Sequence, residues 1–392
     1  MPRGPDSILF ARNLFLPDDL GGNRYPYETM RRLAERGHPV TVATPRLHGR
    51  FPALPGVRYE LYPVLRPHPA ISHFTNLLGA TLALRRVPRH AVAIAGSYDS
   101  ALALGLAGAV RRTPLVFLFH SEFYSEWVQS RGLARRLLHR YMAAVERRVF
   151  GLAARIVAVS EFSALQIQSR AARASDRVRV VPTGVDTRYF APPVSQAAAR
   201  ADLGLSNDEP LVLGVGRLAG VKQFDRLITA FAVASARGLK GRLVIAGGGP
   251  ERGRLEGLIA TYGMSERVQL AGYCDPPRLR ALMQAADLQV CTSLFENLSL
   301  AILEGMACGT PVLGTPGGGT PELLTPIDPE LVLQDDHAHT LADALPAWLC
   351  DRDRLKTLGR RARELAVERY DWERVVDGLE AVCAEVVAPG WQ

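Results

Sequence analysis

The sequence has few of the features that mark a membrane-spanning or secreted protein. No apolar run reaches the roughly 18 residues that a transmembrane helix needs, because the longest candidate, residues 91–110, is interrupted by Ser97, Asp99 and Ser100. The apolar stretch over residues 8–11 is too short for a secretory signal. The five cysteines all follow residue 270 and form no C-x-x-C pair, which is typical of reduced thiols. We therefore expect a cytoplasmic protein.

Several catalytic motifs are also absent. The sequence contains no H-E-x-x-H zinc motif, no G-x-S-x-G nucleophile elbow and no P-loop. Asp351-Arg352-Asp353 imitates a D-x-D metal motif, but this segment lies between two predicted helices and far from any strand end. We interpret it as charge at the start of a helix. The sequence thus predicts no metal site and no required cofactor.

Lysine is scarce, and charge is divided unevenly along the chain. Only three lysines accompany 44 arginines. Residues 1–200 hold 28 arginines and 13 acidic residues, a net charge of +15, whereas the remainder carries −7. A membrane surface, an anionic substrate or a merely arginine-rich composition each explains the basic half. Nucleic acid is not expected as a partner, because no zinc finger, RNP-like aromatic run or helix-turn-helix signature is present.

A basic amphipathic helix is predicted over residues 131–150. Two interpretations stay open: an ordinary domain helix with a solvated face, or a peripheral contact of the Arg131–Arg148 region with anionic lipid on the inner membrane face. The sequence does not determine the oligomeric state. The apolar stripe of this helix comprises Leu133, Leu137, Leu138, Tyr141, Met142, Val145 and Val149, and its arginines are Arg131, Arg135, Arg136, Arg140, Arg147 and Arg148.

Short apolar runs alternate with helical patterns along the whole chain, which predicts strands of parallel sheets covered by helices on both faces. Two series of strands are too many for one ordinary sheet, so we expect two doubly wound α/β domains joined by a linker near residues 183–208. Residues 351–387 are predicted to form consecutive helices. The predicted strands are 8–10, 40–43, 92–95, 115–119, 156–159 and 178–181, then 211–215, 243–246, 268–270, 288–291 and 311–314.

Ligands of open parallel sheets bind beyond the carboxyl ends of the strands, and polar, glycine-rich segments follow several of the predicted strands. After residues 211–215 come Gly216-Arg217 and Lys222, whose cations suit a phosphate. After residues 243–246 come Gly247 and Gly248, which suit an anion or a sugar at a helix start. A solvated turn and a tight turn, respectively, are the ordinary alternatives.

The segment from Ser293 to Glu304 is the most informative one. Its apolar pattern is helical from Leu298 onward, which places Glu296 in the entry loop and Glu304 about two turns inside the helix. The first backbone N–H groups, near residues 298–300, are then able to hold a diphosphate. Glu296 and Glu304 would lie on either side of it and accept hydrogen bonds from the hydroxyls of a sugar nucleotide. A capping glutamate and an ordinary surface glutamate are the alternative.

In the first half, His120 follows a predicted strand and is placed to orient or polarise a substrate. A structural histidine is the alternative. The loop after the first strand contains Asp18, Asp19, Gly21 and Gly22, and its glycines permit close approach of a ligand.

Taken in order, these segments resemble the retaining glycosyltransferases of family 4, which have the GT-B fold. The resemblance covers nearly the whole chain and depends on the combination of motifs, each of which is modest alone. The motifs are Gly21-Gly22, Gly37-His38-Pro39-Val40, His120, residues 181–186, Gly216-Arg217 with Lys222, residues 247–250, the Glu296/Glu304 pair, residues 309–312 and residues 318–322.

The resemblance implies a GT-B fold of two Rossmann-like domains facing across a cleft, and transfer of a sugar from a UDP- or GDP-linked donor to an acceptor hydroxyl with retention of configuration. Residues 1–185, with a returning helix over 372–392, would bind a glycan, lipid-linked or small-molecule acceptor, and residues 186–371 would bind the donor. The implied catalytic residues are His120, Arg217, Lys222 and Glu296. The implied donor-binding residues are Gly22, Gly216, Arg217, Lys222, Gly247, Gly248, Tyr273, Glu296, Asn297, Leu298, Ser299, Leu300 and Glu304; the acceptor-binding residues are Asp18, Asp19, Gly21, Asn23 and Glu122.

Other functions remain as alternatives. Residues 214–219 satisfy the G-x-G-x-x-[GA] fingerprint of an NAD(P)-dependent oxidoreductase, although the next predicted strand ends in Gly247 and not in the acid that a ribose requires. A sugar-nucleotide hydrolase or epimerase on the same fold, or a nucleotide sensor without catalysis, would share the same binding residues.

Overall fold

The computed structural model describes residues 7–12, 24–46, 53–64, 69–120 and 133–387. The chain divides into two compact units. The first unit takes the chain up to Pro182 together with the segment from Val375 onward, and the second unit takes residues 183–374. Each unit is built around one parallel sheet with helices packed against it.

The first unit contains a seven-stranded parallel sheet in the order β3-β2-β1-β4-β5-β6-β7. The central strands are buried on both faces, which is why their residues are continuously apolar rather than alternating. The strands are β1 (Ile8–Ala11), β2 (Val40–Pro45), β3 (Val57–Tyr62), β4 (Val92–Ala95), β5 (Leu115–Phe119), β6 (Arg155–Ala158) and β7 (Val178–Val180).

Helices connect these strands and cover the sheet. One face packs against a core that includes Leu84, Leu104, Val149 and Ile167, one from each of the helices α2 to α5. The helices are α1 (Arg24–Glu35), α2 (Pro69–Arg86), α3 (Tyr98–Leu106), α4 (Leu133–Leu152) and α5 (Glu161–Arg170).

The second unit contains a five-stranded parallel sheet in the order β10-β9-β8-β11-β12. Its strands are β8 (Leu211–Val215), β9 (Arg242–Ala246), β10 (Val268–Gly272), β11 (Leu288–Cys291) and β12 (Val312–Gly314). Its helices are α6 (Gln196–Asp202), α7 (Phe224–Ala236), α8 (Arg252–Thr261), α9 (Pro276–Ala285), α10 (Leu300–Ala307), α11 (Thr320–Leu324), α12 (Ala338–Cys350) and α13 (Arg352–Arg369). A last helix, α14 (Trp372–Ala384), begins in the second unit and continues into the first.

The fold confirms the predicted class of two doubly wound parallel sheets, and it corrects two details. Strand β3 was not among the predicted strands, because five of its six residues are half-buried or exposed and they supply no continuous apolar run. The predicted linker over residues 183–208 contains helix α6, which Ser195 caps by accepting a hydrogen bond from the Ala198 N–H. Its alanine-rich composition is that of a helix rather than of a flexible connection.

Helix α4 uses its apolar stripe inside the first unit. Met142, Val145 and Val149 are buried in the core, whereas Arg136 and Arg140 are exposed. The described part of the helix is therefore amphipathic as predicted, but its buried apolar residues are not available to a lipid surface. Among the helices that the structure describes, none is long and apolar enough to span a bilayer.

Candidate functional site

The carboxyl edge of the second sheet contains a topological switch point. Strands β9 and β10 continue from β8 in one direction, whereas β11 and β12 continue from it in the other. The loops that follow β8 and β11 therefore diverge and leave a crevice, which is where open parallel sheets bind their ligands. Most of the donor-site residues that the sequence predicts belong to these two loops.

Lys222 and Glu296 form an ion pair across this crevice. Lys222 Nζ donates to Glu296 Oε1 in a short contact, and both side chains are mostly buried. Ser293 Oγ donates a second hydrogen bond to the same carboxylate oxygen at 2.8 Å. Two residues 74 positions apart are thus brought into one charged cluster, and Ser293 orients its acidic member.

Backbone and side-chain hydrogen bonds join the loops at this edge. The loop after β8 bonds to the loop after β11, because Leu294 N–H donates to the Val221 carbonyl at 2.9 Å. The Leu218 N–H donates to the Gly248 carbonyl at 2.9 Å, which joins the loops after β8 and β9. The loop after β12 joins the row through Gly319 N–H, which donates to the Glu296 carbonyl at 2.7 Å. The charged pair is therefore held by a continuous rim rather than by separate loops.

Glycines allow these loops to approach so closely. A Cβ on Gly247 would lie 1.8 Å from the Gly216 carbonyl oxygen, and one on Gly318 would lie 2.1 Å from the Glu296 carbonyl oxygen. Gly248 is exposed, with open space where its Cβ would be. Gly247 was predicted to allow a ligand to approach, and the structure shows that it also allows the loop after β8 to pack against it. No neighbouring atom would prevent a side chain at Gly248.

Helix α10 begins at the same crevice, two residues later than predicted. Its first residue is Leu300, so Glu304 lies about one turn inside the helix rather than two. The Ser299 side chain makes no capping hydrogen bond. Leu298 and Ser299 are buried, so what the start of the helix offers to the crevice is backbone N–H groups and the positive end of the helix dipole. Glu304 is buried, with 6% of its surface exposed.

The other predicted donor residues lie on the loops near Lys222 and Glu296, and their side chains differ in solvent exposure. Arg217 is exposed in the loop after β8, and Tyr273 is 74% exposed directly after β10. Asn297 is half-buried between Glu296 and the start of α10. The structure therefore brings Lys222, Glu296 and the start of α10 together, and it places Arg217 and Tyr273 on neighbouring loops of the same edge.

In the first unit, His120 follows β5 and Arg12 follows β1 at the carboxyl edge of the sheet. Burial and, as the smaller cause, the nearby charge of Arg12 lower the pKa of His120 to about 3, so the imidazole is neutral. Burial also lowers the pKa of the Arg12 guanidinium to about 10, which leaves it charged at neutral pH. Tyr25 packs edge-on against His120 with ring centroids 4.8 Å apart. A Cβ on Gly96, after β4, would lie 3.1 Å from Arg12 Nη1.

Several predicted residues lie outside the described part of the chain. These are the acceptor-site residues Asp18, Asp19, Gly21, Asn23 and Glu122, together with Gly22 of the predicted donor site and Arg131 of the predicted basic helix. Among the described residues of the first-unit edge, Arg12, Gly96 and His120 follow the strands β1, β4 and β5, and Tyr25 packs beside His120.

Two residues of these edges were not singled out from the sequence. Ser293 stands three positions before Glu296, a spacing at which a hydroxyl in a turn reaches a side chain, and this was the available signal. Arg12 directly follows the first strand, so its position was readable, but its proximity to His120 depends on strands β1 and β5 lying in one sheet. Within the described residues, no group of three or more His, Cys, Asp or Glu side chains is placed to hold a metal ion. Asp351 instead caps α13 by accepting from the Arg354 N–H.

Two doubly wound parallel sheets, one with paired charges at its switch point, place the chain among the α/β proteins that bind ligands at the carboxyl ends of their strands. Two family models match it: Glycosyltransferase Family 4 over residues 21–189, and Glycosyl transferases group 1 over residues 195–365. Among curated relatives, a D-inositol 3-phosphate glycosyltransferase of Nocardia farcinica is 38% identical over 242 residues, which are 60% of this chain and 53% of that protein. The alignment thus spans about half the length of that relative.

A D-inositol 3-phosphate glycosyltransferase of Acidothermus cellulolyticus is 32% identical over 396 aligned positions, covering 94% of this chain and 87% of that protein. Among solved structures, sucrose-phosphate synthase from Thermosynechococcus elongatus superposes with a TM-score of 0.80 at 22% identity, covering 97% of this chain and 99% of that one. Anabaena HepE in complex with UDP-glucose superposes with a TM-score of 0.73 at 19% identity, covering 97% and 99%. The chain therefore belongs to glycosyltransferase family 4 and is a glycosyltransferase of the GT-B fold.

Proposed function

We propose that the chain transfers a sugar from a nucleoside diphosphate sugar to an acceptor hydroxyl, with retention of anomeric configuration. The observation that carries the proposal is the Lys222–Glu296 ion pair at the switch point, beside the start of α10. The cation and the N–H groups at the start of the helix match the negatively charged diphosphate of such a donor. The carboxylate matches the hydroxyls of its sugar.

In this proposal the diphosphate occupies the start of α10 and competes with Glu296 for Lys222. The first-turn N–H groups of α10 donate to phosphate oxygens, and exposed Arg217 adds a bidentate cation from the loop after β8. When Lys222 turns to the phosphate, Glu296 is released from the ion pair. Its carboxylate then accepts hydrogen bonds from hydroxyls of the transferred sugar, while Ser293 holds its orientation.

Glu304 and Tyr273 would complete the nucleoside end of the site. Glu304 is buried on α10, where its carboxylate would accept from the ribose hydroxyls. Tyr273 is exposed after β10 and offers an aromatic ring to the base. Gly248 leaves room for the donor, since nothing lies within 4 Å of its Cβ position.

Charge stabilisation, rather than a side-chain nucleophile, would promote the reaction. The leaving diphosphate gains negative charge as the glycosidic bond breaks, and Lys222 and Arg217 would stabilise that charge. Glu296 would support the positive charge that develops on the sugar ring. Neutral His120 would position the donor sugar or the acceptor through a hydrogen bond, since its pKa near 3 excludes an imidazolium at neutral pH.

For the acceptor, we propose a polyol that carries a negative charge, bound at the first-unit edge. The half-buried guanidinium of Arg12 remains charged although burial disfavours its charge, and an anionic ligand would offset that cost. The two curated relatives described above are named for transfer to D-inositol 3-phosphate, which is an acceptor of this class. Asp18, Asp19, Gly21, Asn23 and Glu122 remain part of the proposed acceptor site, and Gly22 remains part of the proposed donor site.

The test combines donor screening with transfer assays. Isothermal titration with UDP and GDP identifies the base, and transfer from UDP-glucose, UDP-N-acetylglucosamine or GDP-mannose is followed by chromatography. Arg217→Ala should weaken nucleotide binding by about tenfold, whereas Arg278→Ala, another exposed arginine of the second unit, should not. Proton NMR of the first-formed product reports the anomeric configuration. An inverted product would contradict retention.

The same assays separate the alternatives. Turnover of the nucleotide sugar without an added acceptor would indicate hydrolysis or epimerisation, and a change in nicotinamide absorbance would indicate an oxidoreductase. Comparing D-inositol 3-phosphate with unphosphorylated inositol tests the anionic acceptor, because equal rates with both would refute the role proposed for Arg12.

A further inference from the structure

Helix α2 exposes an apolar stripe that no described element covers. Phe74, Leu78 and Leu82 are 60%, 62% and 48% exposed. They are spaced four residues apart, so they lie on one face of the helix along roughly 12 Å of its length. The opposite face of α2 is buried in the core through Ala80 and Leu84. Single exposed apolar side chains are ordinary on protein surfaces, but three in a row on one helix face are not.

The helices around this stripe expose positive charge and no negative charge. Arg85 and Arg86 end α2, and Arg136 and Arg140 are exposed on α4. The acidic residues within helices α2, α3 and α4 are Asp99 and Glu146, and both are buried. Helix α13 of the second unit is different, because its exposed arginines alternate with the exposed acids Asp353, Glu364 and Glu368.

Buried hydrogen bonds hold α2 and α4 side by side, so that the stripe and the arginines belong to one surface. His73 of α2 contacts the Tyr141 hydroxyl of α4 at 2.7 Å through Nε2 and the Asp99 carboxylate of α3 at 2.7 Å through Nδ1. Phe74 and Tyr141 lie with ring centroids 6.5 Å apart. Tyr141 is itself partly exposed, which extends the apolar surface from α2 onto α4.

We propose that this face of the first unit docks onto an anionic lipid bilayer, with the α2 stripe inserted at the headgroup level and the arginines of α2 and α4 contacting lipid phosphates. An apolar stripe on helices that expose cations and no acids, as α2 to α4 do, is the arrangement of helices that lie in a membrane interface. Helix α2 supplies most of the apolar contact, and α4 supplies charge, because Met142, Val145 and Val149 of its own stripe are buried. This inference does not depend on the donor site.

A second copy of the chain fits this face less well. Two such faces would bring arginines against arginines with no exposed carboxylate on α2 to α4 to pair with them. Three side chains on one helix are also a small area beside the roughly 800 Å² per partner that stable interfaces bury. A bilayer of anionic lipid provides both the apolar layer and the complementary charge.

Vesicle sedimentation of the full chain tests the proposal. The protein should bind vesicles of phosphatidylglycerol and phosphatidylcholine mixed, but not vesicles of phosphatidylcholine alone, and added salt should weaken the binding. Leu78→Glu should lower the partition coefficient at least about tenfold. Arg136→Glu combined with Arg140→Glu should lower the partition coefficient by about 30-fold or more. Each arginine near the membrane surface contributes roughly 1 kcal/mol, and 1.4 kcal/mol corresponds to about tenfold.

Helix α13 provides matched controls. Val367→Glu and the double change Arg360→Glu/Arg361→Glu alter exposed residues of the same kinds, and both should leave vesicle binding as in the original protein. Phe74→Ser should repeat the effect of Leu78→Glu, and unaltered UDP binding and melting temperature would show that the variants are folded. Unchanged vesicle binding of Leu78→Glu overturns the proposal. Failure of the unmodified protein to bind anionic vesicles also overturns it. If ultracentrifugation then shows that Leu78→Glu dissociates a dimer, the stripe binds a second copy of the chain.

Discussion

The carboxyl edges of the two sheets are built in different ways. At the second-unit edge, the loops after β8, β9, β11 and β12 are hydrogen-bonded in a row, and they hold the ion pair of Lys222 with Glu296. At the first-unit edge, Arg12 follows β1, Gly96 follows β4 and His120 follows β5. One edge is a continuous rim with paired charges, and the other carries a half-buried cation beside a neutral imidazole.

This difference fits the division of labour that we propose, with the donor at the second-unit edge and the acceptor at the first-unit edge. A diphosphate has the same geometry in every nucleotide sugar, so a rigid, prebuilt rim suits it. Acceptors differ in shape from one enzyme of a family to another, and loops are the segments that vary most readily. Each charged side chain of the second-unit edge thus has a specific proposed role in donor binding, and mutations at the two edges should differ in their effects.

The largest effect is expected for Glu296→Gln, which should strengthen UDP binding while it lowers the rate of sugar transfer. Because Glu296 holds Lys222 when no donor is present, Glu296→Gln should release the ammonium and tighten UDP binding by about fivefold, while transfer falls by about 10²–10³-fold. Lys222→Ala should weaken both binding and transfer. Isothermal titration with UDP and initial transfer rates measure the two quantities.

The controls for this pair are Glu266→Gln and Lys240→Ala, which alter exposed residues of the second unit. Both should leave binding and transfer unchanged. Weaker UDP binding by the Glu296→Gln variant would mean that the carboxylate does not compete with phosphate for Lys222, and the exchange proposed for the donor site would be wrong.

The next largest effect concerns the stability of the rim. Gly247→Ala forces a Cβ to within 1.8 Å of the Gly216 carbonyl oxygen at a positive φ of 149°, so the loops after β8 and β9 must separate. We expect the free energy of unfolding to fall by about 3 kcal/mol. Gly257→Ala, in α8 with open space around it, should instead raise stability by up to about 1 kcal/mol. Chemical denaturation measures both, and equal stabilities of the two variants would contradict the packing role of Gly247.

The sequence was sufficient for the fold wherever strands are buried on both faces. Strands β4 to β6, β8, β9, β11 and β12 appear as short, largely apolar runs because most of their residues are buried. Strand β3 escaped prediction for the converse reason, since it lies at the edge of the sheet and most of its residues are half-buried or exposed. Helix α6 escaped because its polar, alanine-rich residues were interpreted as a linker.

The second-unit site was predictable by position but not by contact. Lys222 and Glu296 were recognised because each follows a strand, and strand ends gather at one edge of a parallel sheet. Their ion pair could not be foreseen, since it depends on β8 and β11 being neighbours. The packing of Gly247 and Gly318 was equally hidden, because a glycine in a sequence does not say whether a ligand or another backbone approaches it.

A smaller effect should appear in the acid stability of the first-unit edge. The pKa of His120 in the folded protein is about 3 and its ordinary value is 6.5, so below pH 6.5 the unfolded chain binds a proton that the folded chain refuses. Stability conferred by the neutral form is therefore lost as pH falls. Between pH 7 and pH 5 the protein should lose about 2 kcal/mol more stability than its His120→Gln variant. Denaturation curves at both pH values measure this difference, and parallel losses would show that His120 is solvated in the folded state.

The smallest expected effect separates positioning from chemistry at the paired charges. Ser293 donates to Glu296 at 2.8 Å and has no proposed contact with the donor, so Ser293→Ala should lower kcat by about fivefold, equivalent to about 1 kcal/mol. The KM for the nucleotide sugar should stay nearly constant, because the phosphate contacts remain. Ser293→Thr keeps the hydroxyl and should restore most of the rate, whereas a purely structural role would make the bulkier threonine at this buried position at least as harmful as alanine. A rate loss that threonine does not recover would therefore mean that the Ser293 hydroxyl does not orient Glu296 during transfer.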